Sequence, residues 1–225
     1  MKYLVVIPAR GGSKGIPKKN IKTLNGKALI NYTIDVAREL FSDDIICVST
    51  DDCEIINVVE SSGLSVPFVR PKKLATDTAG TYEVIKHAID FYSKKRSYDA
   101  DVVLLLQPTS PFRLAKQVKE AIASYDNNID MVLSVKKSKA SPYFNLYEDV
   151  NGYLEKSKPQ KYTRRQDCPD VWEANGAIYV INVKSLKEQK SIPTNKVKKY
   201  IMDDFTSHDL DTVYDWRLAE LLIKY

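Results

Sequence analysis

The densest chemistry in the chain lies in residues 8–20, PARGGSKGIPKKN. Three of its eight glycines, Gly11, Gly12 and Gly15, stand here among Arg10, Lys14, Lys18 and Lys19. Glycine lets main-chain N–H groups approach an anion with no Cβ between them. Four cations within ten residues match the charge of a triphosphate. Two familiar phosphate loops do not fit. A Walker loop needs four residues between its glycines and then Lys-Ser or Lys-Thr opening a helix, but Pro17 stands where that helix would enter its second turn. The dinucleotide pattern G-x-G-x-x-G is broken by Gly11-Gly12, which excludes a NAD-linked oxidoreductase. A surface turn with its lysines in water leaves this concentration of charge and glycine unexplained.

A second constellation lies near the other end. Asp209 and Asp211 stand two apart, so in an extended segment they project to the same side and can share one hard cation. Mg²⁺ takes one or two carboxylates plus substrate phosphates and keeps several waters. The competing assignment is capping, since either aspartate would suit the N-terminus of a following helix. Spacing alone favours capping. Asp203 and Asp204 are read as bystanders, and Asp51 and Asp52 as a strand end and a helix start. His208 stands within reach of a metal shell and His87 on a helix face, where a lone histidine is usually structural. Between the two constellations, Gln107-Pro108-Thr109-Ser110 follows an apolar run. A buried glutamine there offers a donor and an acceptor for hydroxyl groups. The prolines account for a turn but not for the Gln-Thr-Ser cluster.

These residues need elements to position them. Segments 3–7, 45–49, 66–69, 102–106 and 131–135 are short and β-rich, as strands covered on both faces should be. Between them Ile30, Ile34 and Ala37, then Val84, Ala88 and Phe91, then Val118, Ile122 and Tyr125 repeat at helical spacing. Alternation of this kind predicts βαβ units and a doubly wound, mostly parallel, Rossmann-like α/β sheet. Ligands of such sheets bind at the carboxyl ends of the strands, which is where residues 8–20 and 107–110 fall. From 136 to 172 the texture turns polar, basic and rich in Tyr and Pro. Residues 144–147 and 153–154 flank Asn151-Gly152 and suit a hairpin. Such an arm buries little of itself, so it is expected to pack on a partner subunit or over the active site. Strand texture returns at 176–182 and 199–202. A terminal helix follows with Tyr214, Leu218, Leu221 and Leu222 on one face.

The 225 residues, 44% hydrophobic and 28% charged, suit one folded domain with that arm inserted. No apolar run approaches the roughly 20 residues a membrane span needs, and the N-terminal apolar stretch suits a strand better than a leader. A cytoplasmic location is expected. Cys47, Cys53 and Cys168 form no CxxC pair, so neither a disulfide framework nor structural zinc is expected. The net charge of +5 gathers in short clusters and not along one face with aromatic platforms, so no nucleic-acid partner is expected.

The motifs together carry a resemblance. Residues 8–20 resemble the first motif of the sugar nucleotidyltransferases, specifically the acylneuraminate cytidylyltransferases (CMP-sialic acid synthetases). Arg70-Pro71 with Leu74-Ala75-Thr76-Asp77-Thr78 resembles the second motif, and residues 105–113, LLQPTSPFR, the third. Arg164-Arg165-Gln166-Asp167 and Ala174-Asn175-Gly176-Ala177-Ile178-Tyr179 resemble the fourth and fifth, and Asp209-Leu210-Asp211 the metal-binding pair. Each motif alone is weak; six in order, from residue 4 to about 216, are specific.

The resemblance implies transfer of CMP from CTP to a nine-carbon 2-keto sugar acid, with Mg²⁺ or Mn²⁺ as cofactor and a homodimer as the working unit. It implies that Ala9, Arg10, Gly11, Gly12, Ser13, Lys14, Lys19, Asn20 and Arg70 hold the nucleotide. Lys19 is then the transition-state cation, with Arg10 and Asp211 also catalytic, and metal binding becomes the leading role for Asp209 and Asp211. Gln107, Thr109, Ser110, Asn175 and Tyr179 would line the sugar pocket. Arg165, with Arg164 as neighbour and Lys136, Lys137 or Lys139 assisting, would bind the sugar carboxylate bidentately from an arm that crosses to the other subunit. N-acetylneuraminic, legionaminic and related acids remain open, with the eight-carbon acid Kdo as the nearest rival acceptor. A regulatory module that binds CTP without turnover is the rival of another class, and intact Lys19, Asp209 and Asp211 argue against it.

Overall fold

The computed structural model describes residues 1–13, 15–158 and 162–224. In chain order the strands are β1 (Tyr3–Pro8), β2 (Thr23–Leu24), β3 (Lys27–Ala28), β4 (Ile46–Ser49), β5 (Val102–Leu105), β6 (Met131–Lys137), β7 (Tyr147–Val150), β8 (Tyr153–Lys156), β9 (Trp172–Asn182) and β10 (Val197–Ile201). The helices are α1 (Leu29–Arg38), α2 (Cys53–Ser61), α3 (Thr81–Arg96), α4 (Ala115–Ala123), α5 (Val183–Gln189) and α6 (Val213–Leu222). One six-stranded sheet runs β10-β6-β9-β5-β1-β4. All its neighbours are parallel except β9, which runs antiparallel to both β5 and β6.

Strands β1, β4 and β5 are apolar without alternation because helices cover both faces. Leu4, Val5, Val6 and Ile7 are all fully buried. Val5 and Ile7 pack toward α1, α2 and α4, through Ile34, Ile55 and Val118. Leu4 and Val6 pack toward α3 and α5, through Ile85, Ile89 and Leu186. A third cluster around Trp216 seats α6 against Ile16, Leu24, Leu29 and Leu210. This core fixes the carboxyl ends of β1, β4 and β5 side by side.

Several details differ from the sequence expectation. Residues 66–69 form no strand; only Val69 bridges to Thr50, and it is 64% exposed. Pro67 removes a ladder donor in the middle of that run. α4 ends before Tyr125, although Tyr125 still packs into the core. On α6 the buried residues are Trp216 and Ala219, whereas Tyr214, Leu218 and Leu221 face outward. The indole is the larger anchor, and it rotates the leucine stripe away from the chain's own core.

Within the arm, β7 and β8 pair antiparallel across Asn151-Gly152, both at positive φ as a type I′ turn requires. The first strand starts at Tyr147, three residues later than the sequence suggests. Cys47 is buried, Cys53 exposed and Cys168 half-buried, and all are free thiols. No helix among the described residues is long and apolar enough to cross a membrane.

Candidate active site

Two adjoining hollows at the carboxyl ends of β1 and β5 share Pro8, Arg10 and Gln107 and form one cleft. The first, about 370 Å³, is lined by Gly12, Ser13, Gly15, Lys19, Asn20, Thr109 and Asp211. The second, about 270 Å³, runs over Arg70, Thr76, Asp77 and Thr81.

The loop after β1 divides its work. Ala9 is buried and its N–H extends the sheet to the Ser49 carbonyl. The Gly11 N–H donates to Asp51 Oδ1 at 3.2 Å, so that donor serves the loop itself. Gly12 and Ser13 line the cleft. Arg10 donates to the Thr76 carbonyl at 3.0 Å and pairs with Asp77 at 2.9 Å. Lys18 turns aside to the α2 carboxylate of Glu54 at 2.6 Å, so three candidate cations and not four remain for an anion. Of those, Lys14 lies outside the described residues. Asn20 is buried and its amide donates to the Arg10 carbonyl at 3.0 Å, which fixes the loop.

Lys19 crosses the cleft. Its ammonium donates to the Leu210 carbonyl at 2.7 Å and lies 3.0 Å from Asp211 Oδ1. The same segments touch at Gly15, where an added Cβ would stand 2.1 Å from the Asp211 carbonyl oxygen. The capping assignment for the two aspartates falls away. Thr212 caps α6, and Asp215 closes the capping box by accepting from the Thr212 N–H at 2.6 Å. His208 is engaged with the Asp215 carbonyl at 2.9 Å.

The carboxylate pair fits a hard divalent cation. Asp209 Oδ1 is buried without a hydrogen bond of good geometry, and burial, then the charge of Asp211, pushes its carboxyl above the usual range against the lowering influence of the nearby Thr109 hydroxyl. Asp211 is open to the cleft. An orphaned carboxylate oxygen beside an exposed carboxylate leaves the remaining ligand positions to phosphate and water. Among the described residues no cluster of three or more His, Cys, Asp or Glu side chains suits a metal.

Beyond β5, Gln107 and Thr109 face the cleft, while Ser110 is fully buried. The Thr109 and Ser110 hydroxyls are buried without partners. Tyr179 is half-buried in β9, and burial, then the Asp209 charge, raises its phenol. Asn175 departs from the expected pocket wall. It is 5% exposed; its amide donates to Ser207 Oγ at 2.8 Å and accepts from Ser134 Oγ at 2.5 Å and the Ala177 N–H at 3.2 Å. It ties β6, β9 and the segment before Asp209 together.

Arg165 is not brought to the cleft within one chain. It lines a separate cavity of about 350 Å³ with Lys137, Ser141 and Asp170, and its guanidinium donates to the Lys139 carbonyl. Arg164 pairs with Asp167 at 2.8 Å. Lys136, Lys137 and Lys139 pair with Glu173, Asp170 and Asp204.

Arg70 lies in the loop beside β4 but turns inward from solvent. It is 4% exposed, with Nε donating to Ser49 Oγ at 3.0 Å and Nη2 to the Ser49 carbonyl. Burial pushes its guanidinium down to about 10. Sequence reasoning missed the Arg10–Asp77 pair, Thr81 and Arg113. Asp77 and Arg113 stand inside recognised motifs, but nothing in one sequence marks their partners.

An open α/β sheet with a cationic cleft at its strand ends and a carboxylate pair on the rim defines a nucleotide-binding class. Residues 4–215 match the family described as cytidylyltransferase, so the chain belongs to the cytidylyltransferase family. It is 37% identical to the CMP-N,N'-diacetyllegionaminic acid synthase of Legionella pneumophila, over 100% of this chain and 97% of that protein. It is 34% identical to an N-acylneuraminate cytidylyltransferase of Streptococcus agalactiae, over 96% of this chain and 52% of that one. Among solved structures, CMP:2-keto-3-deoxy-manno-octonic acid synthetase complexed with CTP superposes with a TM-score of 0.74. That likeness covers 100% of this chain and 99% of the other at 18% identity, and shows a shared fold.

Proposed function

We propose that this enzyme transfers CMP from CTP to the anomeric hydroxyl of a nine-carbon nonulosonic acid and releases pyrophosphate, working in the cytoplasm. The observation that carries the reading is Lys19, which joins the phosphate loop to the Asp209–Asp211 segment across the cleft. The nucleoside lies over Arg70 and Thr81, and the triphosphate runs along Arg10, Gly12, Ser13 and Lys19. The sugar hydroxyl attacks the α-phosphorus in line; its oxygen–phosphorus bond forms as the bond to the β-phosphate oxygen breaks, and its proton is released to water. Lys19 and Arg10 stabilise the charge that develops on the phosphates. Asp209 and Asp211 would hold Mg²⁺ or Mn²⁺, which would supply further neutralisation of the triphosphate. Gln107 and Thr109 address the acceptor's hydroxyls.

The working unit is a homodimer in which the arm, residues 136–172, reaches the partner. Two features support this. Arg165 sits apart from its own cleft, and the hairpin exposes Leu146, Tyr147, Tyr153 and Leu154. The 37% identity to a legionaminic acid synthase over the whole chain supports a nine-carbon acid over Kdo.

The test is pyrophosphate release with Mg²⁺, crossing CTP, UTP, GTP and ATP against N-acetylneuraminic, N,N'-diacetyllegionaminic and Kdo acceptors. Release with CTP and a nine-carbon acid alone is expected. Binding of CTP without release for any acceptor would favour a regulatory CTP-binding module, and no CTP binding would overturn the reading.

A further inference from the structure

Arg113 is 2% exposed, and burial pushes its guanidinium down to about 9. Its hydrogen-bond partners are neutral. Nη1 donates to the Ala177 carbonyl at 2.8 Å and the Gln107 carbonyl at 3.2 Å, and Nη2 to Thr33 Oγ1 at 2.7 Å. The Thr33 hydroxyl in turn donates to the Gln107 carbonyl at 3.4 Å, so two donors converge on one oxygen. These partners follow β5, sit within β9 and stand on α1. Gly176, beside Ala177, holds φ +73°, and a Cβ there would lie 3.6 Å from Gln107 Oε1. The glutamine side chain therefore rests against the glycine that Arg113 helps to place.

A buried cation without a counter-charge is penalised, and an apolar side chain of similar size commonly serves packing better. Nη1 instead bridges two carbonyls, one of them the main chain of a cleft residue, while Nη2 holds the Thr33 hydroxyl and Nε is left without a partner. We propose that Arg113 is a positioning residue for acceptor recognition: it fixes the main chain at Gln107 and Ala177 and so aims the Gln107 amide at the acceptor's hydroxyls. The inference rests on the reading that Gln107 faces the sugar acid. Arg113 itself touches neither substrate.

Arg113→Lys keeps a cation and loses the fork. It should leave the CTP dissociation constant within about twofold and raise KM for the nine-carbon acid about tenfold. Gln107→Ala should do the same, and the double variant should be no worse than Gln107→Ala alone, because the two act through one group. Thr33→Val, which removes the second donor to the same carbonyl, should shift the acceptor KM in the same direction by less, and it serves if Arg113→Lys does not fold. Additive penalties, or loss of CTP affinity in step with Tm, would overturn the proposal. If the wild type turns over no acid, the function reading fails separately. Hydrogen exchange then decides: Arg113→Lys should speed exchange at 107–110 and 176–178 while β1 and β4 keep their protection. Uniform acceleration, or none, would sink it.

Discussion

The Lys19 side chain is 13% exposed, and its ammonium sits between the Leu210 carbonyl and Asp211 Oδ1. In this position it neutralises part of the carboxylate pair that a divalent cation would use. Lys19→Met keeps the volume and removes the charge. Losing one preorganised cation at the reacting phosphates should lower kcat by about 10²–10³-fold. The same change should tighten Mn²⁺ binding without nucleotide, because Asp209 and Asp211 then lack their internal counter-ion. Titration of Mn²⁺ followed by electron paramagnetic resonance checks this, and weaker binding in the variant would contradict it. Lys19 and the two aspartates could be singled out in the sequence as charged residues at a strand end and at i, i+2, but the spacing suited capping as well, and only the family resemblance put metal binding first. The Arg10 and Arg113 networks were not legible. Apart from the Gln107 carbonyl six residues from Arg113, these partners lie 64 to 80 residues away, and most are backbone carbonyls, which every residue carries.

At the scale of elements, the loop after β1 and the Asp209–Asp211 segment are pressed together at Gly15, where an added Cβ would meet the Asp211 carbonyl at 2.1 Å. Gly15→Ala must move one backbone off the other. The position is exposed, so Tm should change little. A displacement near 1 Å between catalytic groups costs about 10²-fold in rate, and kcat/KM for CTP should fall on that order. Wild-type turnover in Gly15→Ala would show the contact to be incidental. The strands that position this loop were legible because burial on both faces leaves continuous apolar runs, as in β1 and β5. The antiparallel course of β9 was not, since a covered strand reads the same in either direction. On α6 the leucine stripe outweighed Trp216 in the pattern, yet Trp216 is 1% exposed and Leu221 59%. Periodicity finds an apolar face without saying whether the chain's own core or another surface covers it.

The whole molecule poses the question of what completes the site. The cleft holds Arg10, Lys19 and the carboxylate pair, but Arg165 lies in the arm's own cavity with a guanidinium bonded to Lys139. An arginine meant for a sugar carboxylate does nothing for its own cleft from there. If the arm serves the partner, Lys19 and Arg165 of one chain belong to different sites, and a two-fold assembly makes the exchange reciprocal. Lys19→Met and Arg165→Ala homodimers should each be nearly inactive. Mixed, unfolded and refolded together in equal amounts, half the dimers are heterodimers. Each heterodimer then has one site with both residues intact, so about a quarter of wild-type activity should return. If both residues serve the same site from one chain, every site in the mixture lacks one of them and nothing returns. A control pairing Lys19→Met with Asp211→Ala separates the cases further. Both changes fall in the cleft of a single chain, so under either arrangement their heterodimers carry two damaged sites. Recovery in the first mixture and none in the second would place Arg165 across the subunit boundary from Lys19 and keep Asp211 on the same side as Lys19.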